Sequence, residues 1–326
     1  MQGRKQSLKW QLARLLDLVA QYDCFDRPVF ILAPPRSGST FLFDILSQFD
    51  KLTYLQSEAD DIWWRNFPYE RMQEPSDYVG SVQATRRAMR AIRRETFQRT
   101  VSVQHSNRAW PIRYLHSLSP TYMFGLKRVR YLDKTIANCF HLEFLDRAFP
   151  DARYIFLVRD PRANISSMIE GWPYVERFGK PQLTAIVQSV ESRTIDHWTY
   201  PAPPGWQEVL SEPLPQICAW SWRQHVEHVL AFLERQPREA SWVRYEELVA
   251  HTPTVVRRLS EALDLQWSRQ AEQYVNASPL SRTTVTEPAG DKWKRTNYEE
   301  IISILPYVTE TAARIGYDLQ PSESAV

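Results

Sequence analysis

Arginine, serine, glycine, serine and threonine stand in a row at Arg36-Ser37-Gly38-Ser39-Thr40, between the apolar run Val29–Ala33 and the helically spaced run Phe41–Phe49. A second cation, Arg159, ends the apolar stretch RYIFLV (Arg153–Val158), and Ser167 follows it eight positions on. A forked, permanently charged donor, small hydroxyls and a glycine that admits close backbone approach are what a phosphate or sulfate group requires. A strand, a small-residue turn and a helix start would present them together. Free backbone N–H groups and the positive end of the helix dipole meet at that junction. Ser39 or Thr40 suits the first position of the helix. The stretch therefore reads as an anion cradle, with a plain structural strand–turn–helix junction as the other reading.

The elements that must hold these groups follow from periodicity. Apolar runs predict buried strands at Val29–Ala33 and Arg153–Val158, with further strands at Leu52–Leu55, Val129–Leu132 and Ser241–Arg244. Helical patterns are expected over Leu8–Tyr22, VGSVQATRRAMRAIRRETFQR, ANCFHLEFLDRAF, Pro161 to about Gly171, Leu183–Trp198, Leu214–Arg235, Thr252–Leu263 and Tyr298–Ile315. Pro161 suits the first turn of its helix. Residues 60–119 read as a helical, loop-rich insertion, and the six arginines of its clearest helix read as a solvated face or a polyanion grip. Strands alternating with helices predict an α/β fold with a central parallel sheet whose ligands sit beyond the carboxyl ends of the strands.

Composition narrows the function classes. Lys+Arg of 40 against Asp+Glu of 38 leaves a formal charge of +2, so no overall field favours nucleic acid. Cys24, Cys139 and Cys218 are too scattered for a disulfide framework or a metal site. No stretch approaches the roughly 20 apolar residues of a membrane span, and a cytoplasmic protein is expected.

A nucleotide P-loop runs Gly, four residues, then Gly-Lys-Ser/Thr. Here the corresponding stretch is APPRSGST, Ala33–Thr40: the first glycine is missing, Ser39 holds the lysine position and Arg36 precedes the glycine. Without that lysine the loop suits ATP or GTP poorly. It suits one phosphate carrying one further tetrahedral unit.

The cradle taken with Arg159 and Ser167 resembles the paired signatures of the PAPS-dependent sulfotransferases, whose sulfuryl donor is 3′-phosphoadenosine 5′-phosphosulfate. In that family a strand–PxSGxT–helix loop holds the 5′-phosphosulfate, and an Arg with a Ser eight positions later holds the 3′-phosphate. The resemblance implies a donor loop of Pro35, Arg36, Ser37, Gly38, Ser39 and Thr40, and Arg159 and Ser167 as ligands of the 3′-phosphate. Ser167 lies about two helical turns beyond the strand end, whereas Ser166 would point about 100° away from it. The chain is most similar to the branch that contains tyrosylprotein sulfotransferases and bacterial small-molecule enzymes, some of secondary metabolism. That branch reads PRSGxT, an acidic residue downstream, (D/N)K(T/D) and FPxAxxxxLxRD. The matching residues are Glu58, Asp133-Lys134-Thr135 and Phe149-Pro150-Asp151-Ala152, leading to Leu157-Val158-Arg159-Asp160. VRYEELV, Val243–Val249, resembles the segment whose tyrosine, here Tyr245, lies near the adenine.

The resemblance implies a P-loop-like central parallel sheet flanked by helices over residues 1–326 as one domain. It implies PAPS as co-substrate, PAP as product, no metal, and a small-molecule acceptor with a hydroxyl or, second, an amine. Sulfuryl transfer by in-line displacement needs cations at the leaving oxygen and a base at the acceptor. Arg36 and Lys134 are the candidate cations, although Lys134 could instead pair with Asp133. Glu58 is the candidate base. Its rivals are Asp60, Asp61, His105, His116 and His141, and its other reading is a cap on the helix near Asp60. Lys292, Trp293 and Lys294 read as a basic segment over the 3′-phosphate or as a solvated turn. The aromatic segments Ile62-Trp63-Trp64, Trp172-Pro173-Tyr174 and His197-Trp198-Thr199-Tyr200 hint at an acceptor cleft; Trp220 and Trp222 read as stackers for the adenine or, first, as core. A P-loop kinase or nucleotidase, or a protein that only binds PAP or PAPS, are the competing readings. The acceptor's identity and the oligomeric state stay open.

Overall fold

The computed structural model describes residues 25–104, 128–173, 184–190, 193–235, 240–277 and 291–319. The helix expected over Leu8–Tyr22, and Cys24, His105, His116, Tyr174 and residues 281–290, lie outside the described residues.

Five parallel strands form the centre: β1 (Val29–Leu32), β2 (Leu52–Tyr54), β3 (Arg130–Asp133), β4 (Arg153–Val158) and β7 (Ala240–Arg244). They lie in the order β2-β3-β1-β4-β7. All of β1 is buried, as is β4 after Arg153, as expected of uninterrupted apolar runs in a sheet covered on both faces. The chain crosses β1 between β3 and β4, which places β1 at the point where the strand order reverses.

The helices are α1 (Ser39–Leu46), α2 (Asp60–Asn66), α3 (Arg86–Gln104), α4 (Leu142–Ala148), α5 (Pro161–Gly171), α6 (Leu214–Arg235), α7 (Tyr245–Ala250), α8 (Thr252–Ala262), α9 (Arg269–Asn276), α10 (Trp293–Thr296) and α11 (Tyr298–Arg314). Val29 and Ile31 of β1 join an apolar cluster with Leu42 of α1, Val256 of α8 and Val275 of α9. Phe30 and Leu32 join the other cluster, with Phe144 of α4, Ile165 of α5, Trp222 of α6 and Val308 of α11. Alternate residues of one strand thus anchor helices on opposite faces.

Four expectations are corrected. The stretch over Leu183–Trp198 is not a helix. Thr184–Val190 (β5) and Arg193–His197 (β6) form an antiparallel pair, in keeping with the β-branched content of TAIVQSV and RTI. The arginine-rich helix begins at Arg86 rather than near Val79, because the Thr85 hydroxyl accepts the N–H of Ala88 and caps it. ANCFHLEFLDRAF breaks at His141 into a 3-10 turn, Ile136–Phe140, and α4. The arginine face is also not wholly solvated. Arg93 lies over the rings of Phe25 and Phe149 and donates to the Ala148 carbonyl, and Arg99 pairs with Asp61.

Candidate functional site

Parallel strands end on one edge of a sheet, so the strand order fixes the order of whatever follows each strand. Read across this sheet, the residues past the strand ends are Glu58 (after β2), Lys134 (β3), Arg36 (β1), Arg159 (β4) and Tyr245 (β7). Five candidates that lie between positions 36 and 245 of the sequence become one row.

The cradle lies at the middle of that row. Gly38 caps α1 at φ 93° and Arg36 sits at φ 65°, both in the left-handed region. The first helical bond of α1 runs from Leu42 N–H to the Gly38 carbonyl. The amides of the first turn therefore have no acceptor within the helix, and that turn carries no acidic side chain. Ser37 departs from its expected role. It is fully buried and its hydroxyl donates to Asn164 Oδ1 at 2.8 Å, while Asn164 Nδ2 donates to the Pro35 carbonyl at 2.7 Å. Ser37 thus ties the loop to α5, and the hydroxyls left for a ligand are those of Ser39 and Thr40. Sequence reasoning missed Asn164, although it stands three before Ser167 on the same helical face.

The second segment docks directly on the first. Arg36 Nε lies 3.4 Å from Ser167 Oγ, and Arg159 donates to the Arg36 carbonyl at 2.9 Å. The Arg159 guanidinium lies 4.8 Å from the centre of the Tyr245 ring. Burial lowers the Arg159 pKa, with Tyr245 and Glu246 opposing. A Cβ at Gly38 would run into the Tyr245 ring, so Tyr245 walls the cradle rather than standing apart from it. Ser166 turns away: its Oγ accepts from Asn297 at 2.8 Å, leaving Ser167 as the serine that faces the cradle. Near it, Lys292 Nζ meets Glu170 Oε2 at 2.5 Å, and Trp293 is buried under the Arg162 guanidinium. Lys294 extends over the Trp293 ring, 5.8 Å from its centre.

At the other end of the row Lys134 Nζ lies 2.9 Å from Glu58 Oε1. Asp133 does not pair with Lys134; it is buried and accepts from Thr135 and Asn138. Burial raises its pKa, and those bonds oppose the rise. The helix beginning at Asp60 has Ala59 at its N-cap position, next to Glu58. Asp61 is held by Arg65 and Arg99, and Asp60 is buried. His141 is stacked 3.9 Å from Trp63, and burial lowers its pKa to about 4.

The aromatic segments build core instead of a cleft wall. Trp63, Trp64, Trp172 and Trp198 are all buried, and Trp172 packs edge-on against Trp198 and Tyr200. Trp222 is buried in the same cluster, and Trp220 packs against Trp198. A cavity of about 400 Å³ between Val158, Trp242, Arg244, Glu247, Arg258, Arg314 and Ile315 lies at the β7 edge and is not lined by the cradle.

A family model described as the sulfotransferase family matches residues 28–206, which include Arg36, Glu58, Lys134, Arg159 and Ser167 but neither Tyr245 nor the segment around Lys292–Lys294. The chain belongs to the sulfotransferase family. No curated protein matches it in sequence. Among solved structures, sulfotransferase STF9 from Mycobacterium avium is 17% identical, with 96% of this chain and 82% of that one covered and a TM-score of 0.50. That is a likeness of fold. The sulfotransferase domain from the curacin biosynthetic pathway is 18% identical, covering 91% of this chain and 99% of that one, with a TM-score of 0.48. Mouse sulfotransferase SULT7A1, complexed with PAP, is 10% identical, covering 91% and 89%, with a TM-score of 0.43.

The sulfotransferase catalyses sulfuryl transfer, and its P-loop-like parallel sheet is the scaffold expected from the sequence. Among the described residues no helix is long and apolar enough to cross a membrane, and no group of three or more His, Cys, Asp and Glu is placed to hold a metal ion.

Proposed function

We propose that this sulfotransferase takes PAPS as donor and transfers its sulfuryl group to a hydroxyl, or second an amine, of a small molecule. The observation that carries this reading is the direct contact of the two anion-binding segments. Arg36 reaches Ser167 through its side chain and Arg159 through its carbonyl. A donor with phosphate at both ends of its ribose needs two anion sites built as one body.

In this reading the first-turn amides of α1 with Ser39 and Thr40 hold the phosphosulfate, and Arg159 and Ser167 hold the 3′-phosphate. Tyr245 borders the nucleoside. The acceptor oxygen forms its bond to sulfur as the bond from sulfur to the bridging oxygen breaks. Glu58 takes the acceptor's proton, and Arg36 and Lys134 offset the charge that builds on the departing phosphate of PAP. The Glu58–Lys134 pair suits both tasks, since it sets the base beside the cation at one end of the row.

The test is incubation with radiolabelled PAPS and a panel of phenols, alcohols and amines. Mass spectrometry should show one added SO₃ group on an acceptor without ATP or Mg²⁺. PAP at 100 times its Kd should stabilise the fold by about 2.7 kcal/mol. Stabilisation by PAP without transfer to any acceptor would leave a binding protein. Transfer that required ATP would make it a kinase.

A further inference from the structure

β2 and β3 pair only as far as Tyr54↔Leu132, so the sheet's own ladder does not reach Glu58, four residues past the end of β2. A side-chain relay takes over there. The backbone N–H of Ala59, the residue after Glu58, donates to Thr135 Oγ1 at 2.7 Å. A hydroxyl has one proton, so with Ala59 as donor the Thr135 proton goes to Asp133 Oδ1, also at 2.7 Å. Asp133 Oδ1 accepts the Thr135 N–H as well, at 3.0 Å, and Oδ2 accepts Asn138 Nδ2 at 2.8 Å. Three donors converge on one buried carboxylate, the arrangement that stabilises its charged form and polarises the Thr135 hydroxyl. Thr135 is itself fully buried, so its bond to Ala59 is shielded from water.

Lys134 lies between the two members of this relay. One carboxylate thereby fixes the backbone on either side of Lys134 and, through Thr135, the peptide that follows Glu58. We propose that Thr135, anchored by Asp133, is a positioning residue that sets the Glu58 carboxylate against Lys134 and so places the base for sulfuryl transfer. It touches neither donor nor acceptor. Its effect passes through Glu58. The inference rests on the reading of Glu58 as the base.

The test compares wild type, Thr135→Val, Thr135→Ser, Glu58→Gln and the Glu58→Gln/Thr135→Val double variant. Turnover is read as PAP formed from PAPS in the presence of the acceptor panel and of water, and PAP affinity is read by calorimetry. Thr135→Val keeps the shape but loses both hydrogen bonds, and should lower kcat by about 100-fold, the loss expected of roughly 1 Å of misplacement. PAP affinity should stay within twofold, and Thr135→Ser should recover most of the turnover. In the Glu58→Gln background Thr135→Val should add little, because both changes act on the same group. Full kcat in Thr135→Val overturns the inference, as do equal losses of kcat and PAP affinity, no recovery in Thr135→Ser, or fully additive effects in the double variant. Unchanged turnover in Glu58→Gln instead overturns the base assignment beneath it, and no PAP formation by wild type overturns the donor reading.

Discussion

Arg36 and Ser167 stand 131 positions apart in the sequence, yet Nε of the first lies 3.4 Å from Oγ of the second. The contact joins the loop after β1 to the helix after β4, and Arg159 reinforces it from the end of β4. A cation that also braces the cradle must be separated experimentally from one that only binds ligand.

Arg159→Ala should raise the Kd for PAP before it touches chemistry. A charge-assisted hydrogen bond is worth about 1.5–3 kcal/mol, so a rise of roughly 10- to 150-fold is expected. At saturating donor, kcat should fall no more than a few-fold. Calorimetric titration with PAP decides it, and normal affinity would remove Arg159 from the 3′-phosphate.

Arg36→Ala and Lys134→Ala should show the reverse split. Groups aimed at charge that develops only in the transition state are worth about 100- to 1,000-fold in kcat each. PAP affinity should change much less. Initial rates at saturating PAPS beside PAP titrations give both numbers. A loss of affinity that matches the loss of rate would make these two residues plain ligands.

Much of this site was legible from short-range signals. The apolar runs at Val29 and Arg153 located the two central strands, and the turn residues after each located Arg36 and Arg159. Pro161 marked the first turn of α5, where Asp160 also caps it through the Arg162 N–H. What stayed hidden depends on the far side of each contact. Ser37 looked like a ligand hydroxyl because nothing in its neighbourhood of sequence reveals Asn164, 127 positions away. Asp133 looked like a partner for its neighbour Lys134, whereas the end of β3 turns it inward to Thr135 and Asn138. The aromatic segments carried no sign of which face they would occupy, and Trp63, Trp64, Trp172 and Trp198 went to the core. The stretch at Leu183–Trp198 misled because its apolar residues fit a helical period, although its β-branched residues favoured a strand pair.

Gly38→Ala should disable the cradle for two separable reasons. The new Cβ meets the Tyr245 ring, and the φ of 93° is itself costly for any residue with a side chain. Left-handed backbone alone costs about 1–2 kcal/mol. Thermal melts should show at least that loss, together with weakened PAP binding. Adding Tyr245→Ala should relieve the collision and leave the backbone cost. Gly38→Ala with wild-type stability and PAP affinity would show that the turn does not need glycine.

Acid should destabilise the fold through two histidines that cannot charge in place. Burial lowers the pKa of His141 to about 4 and of His225 to about 3, from an ordinary 6.5. His225 Nδ1 lies 2.7 Å from the Ser221 carbonyl and donates to it, while Nε2 has no partner among the described residues, so a second ring proton would be stranded. His228, beside it, is also lowered by burial. Both His141 and His225 are neutral when folded and take up a proton when unfolded below pH 6.5. Their contribution to stability is therefore complete above pH 6.5 and is lost as pH falls towards the folded values. The slope well below 6.5 is about 1.4 kcal/mol per pH unit for each histidine. Melting midpoints should hold level from pH 8 to 7 and fall between pH 6.5 and 5, before most carboxylates titrate. Calorimetry in buffers of different ionisation enthalpy should count about two or three protons taken up on unfolding at pH 5. A level midpoint with no proton uptake across that interval would mean that these rings already accept their second proton in the folded chain.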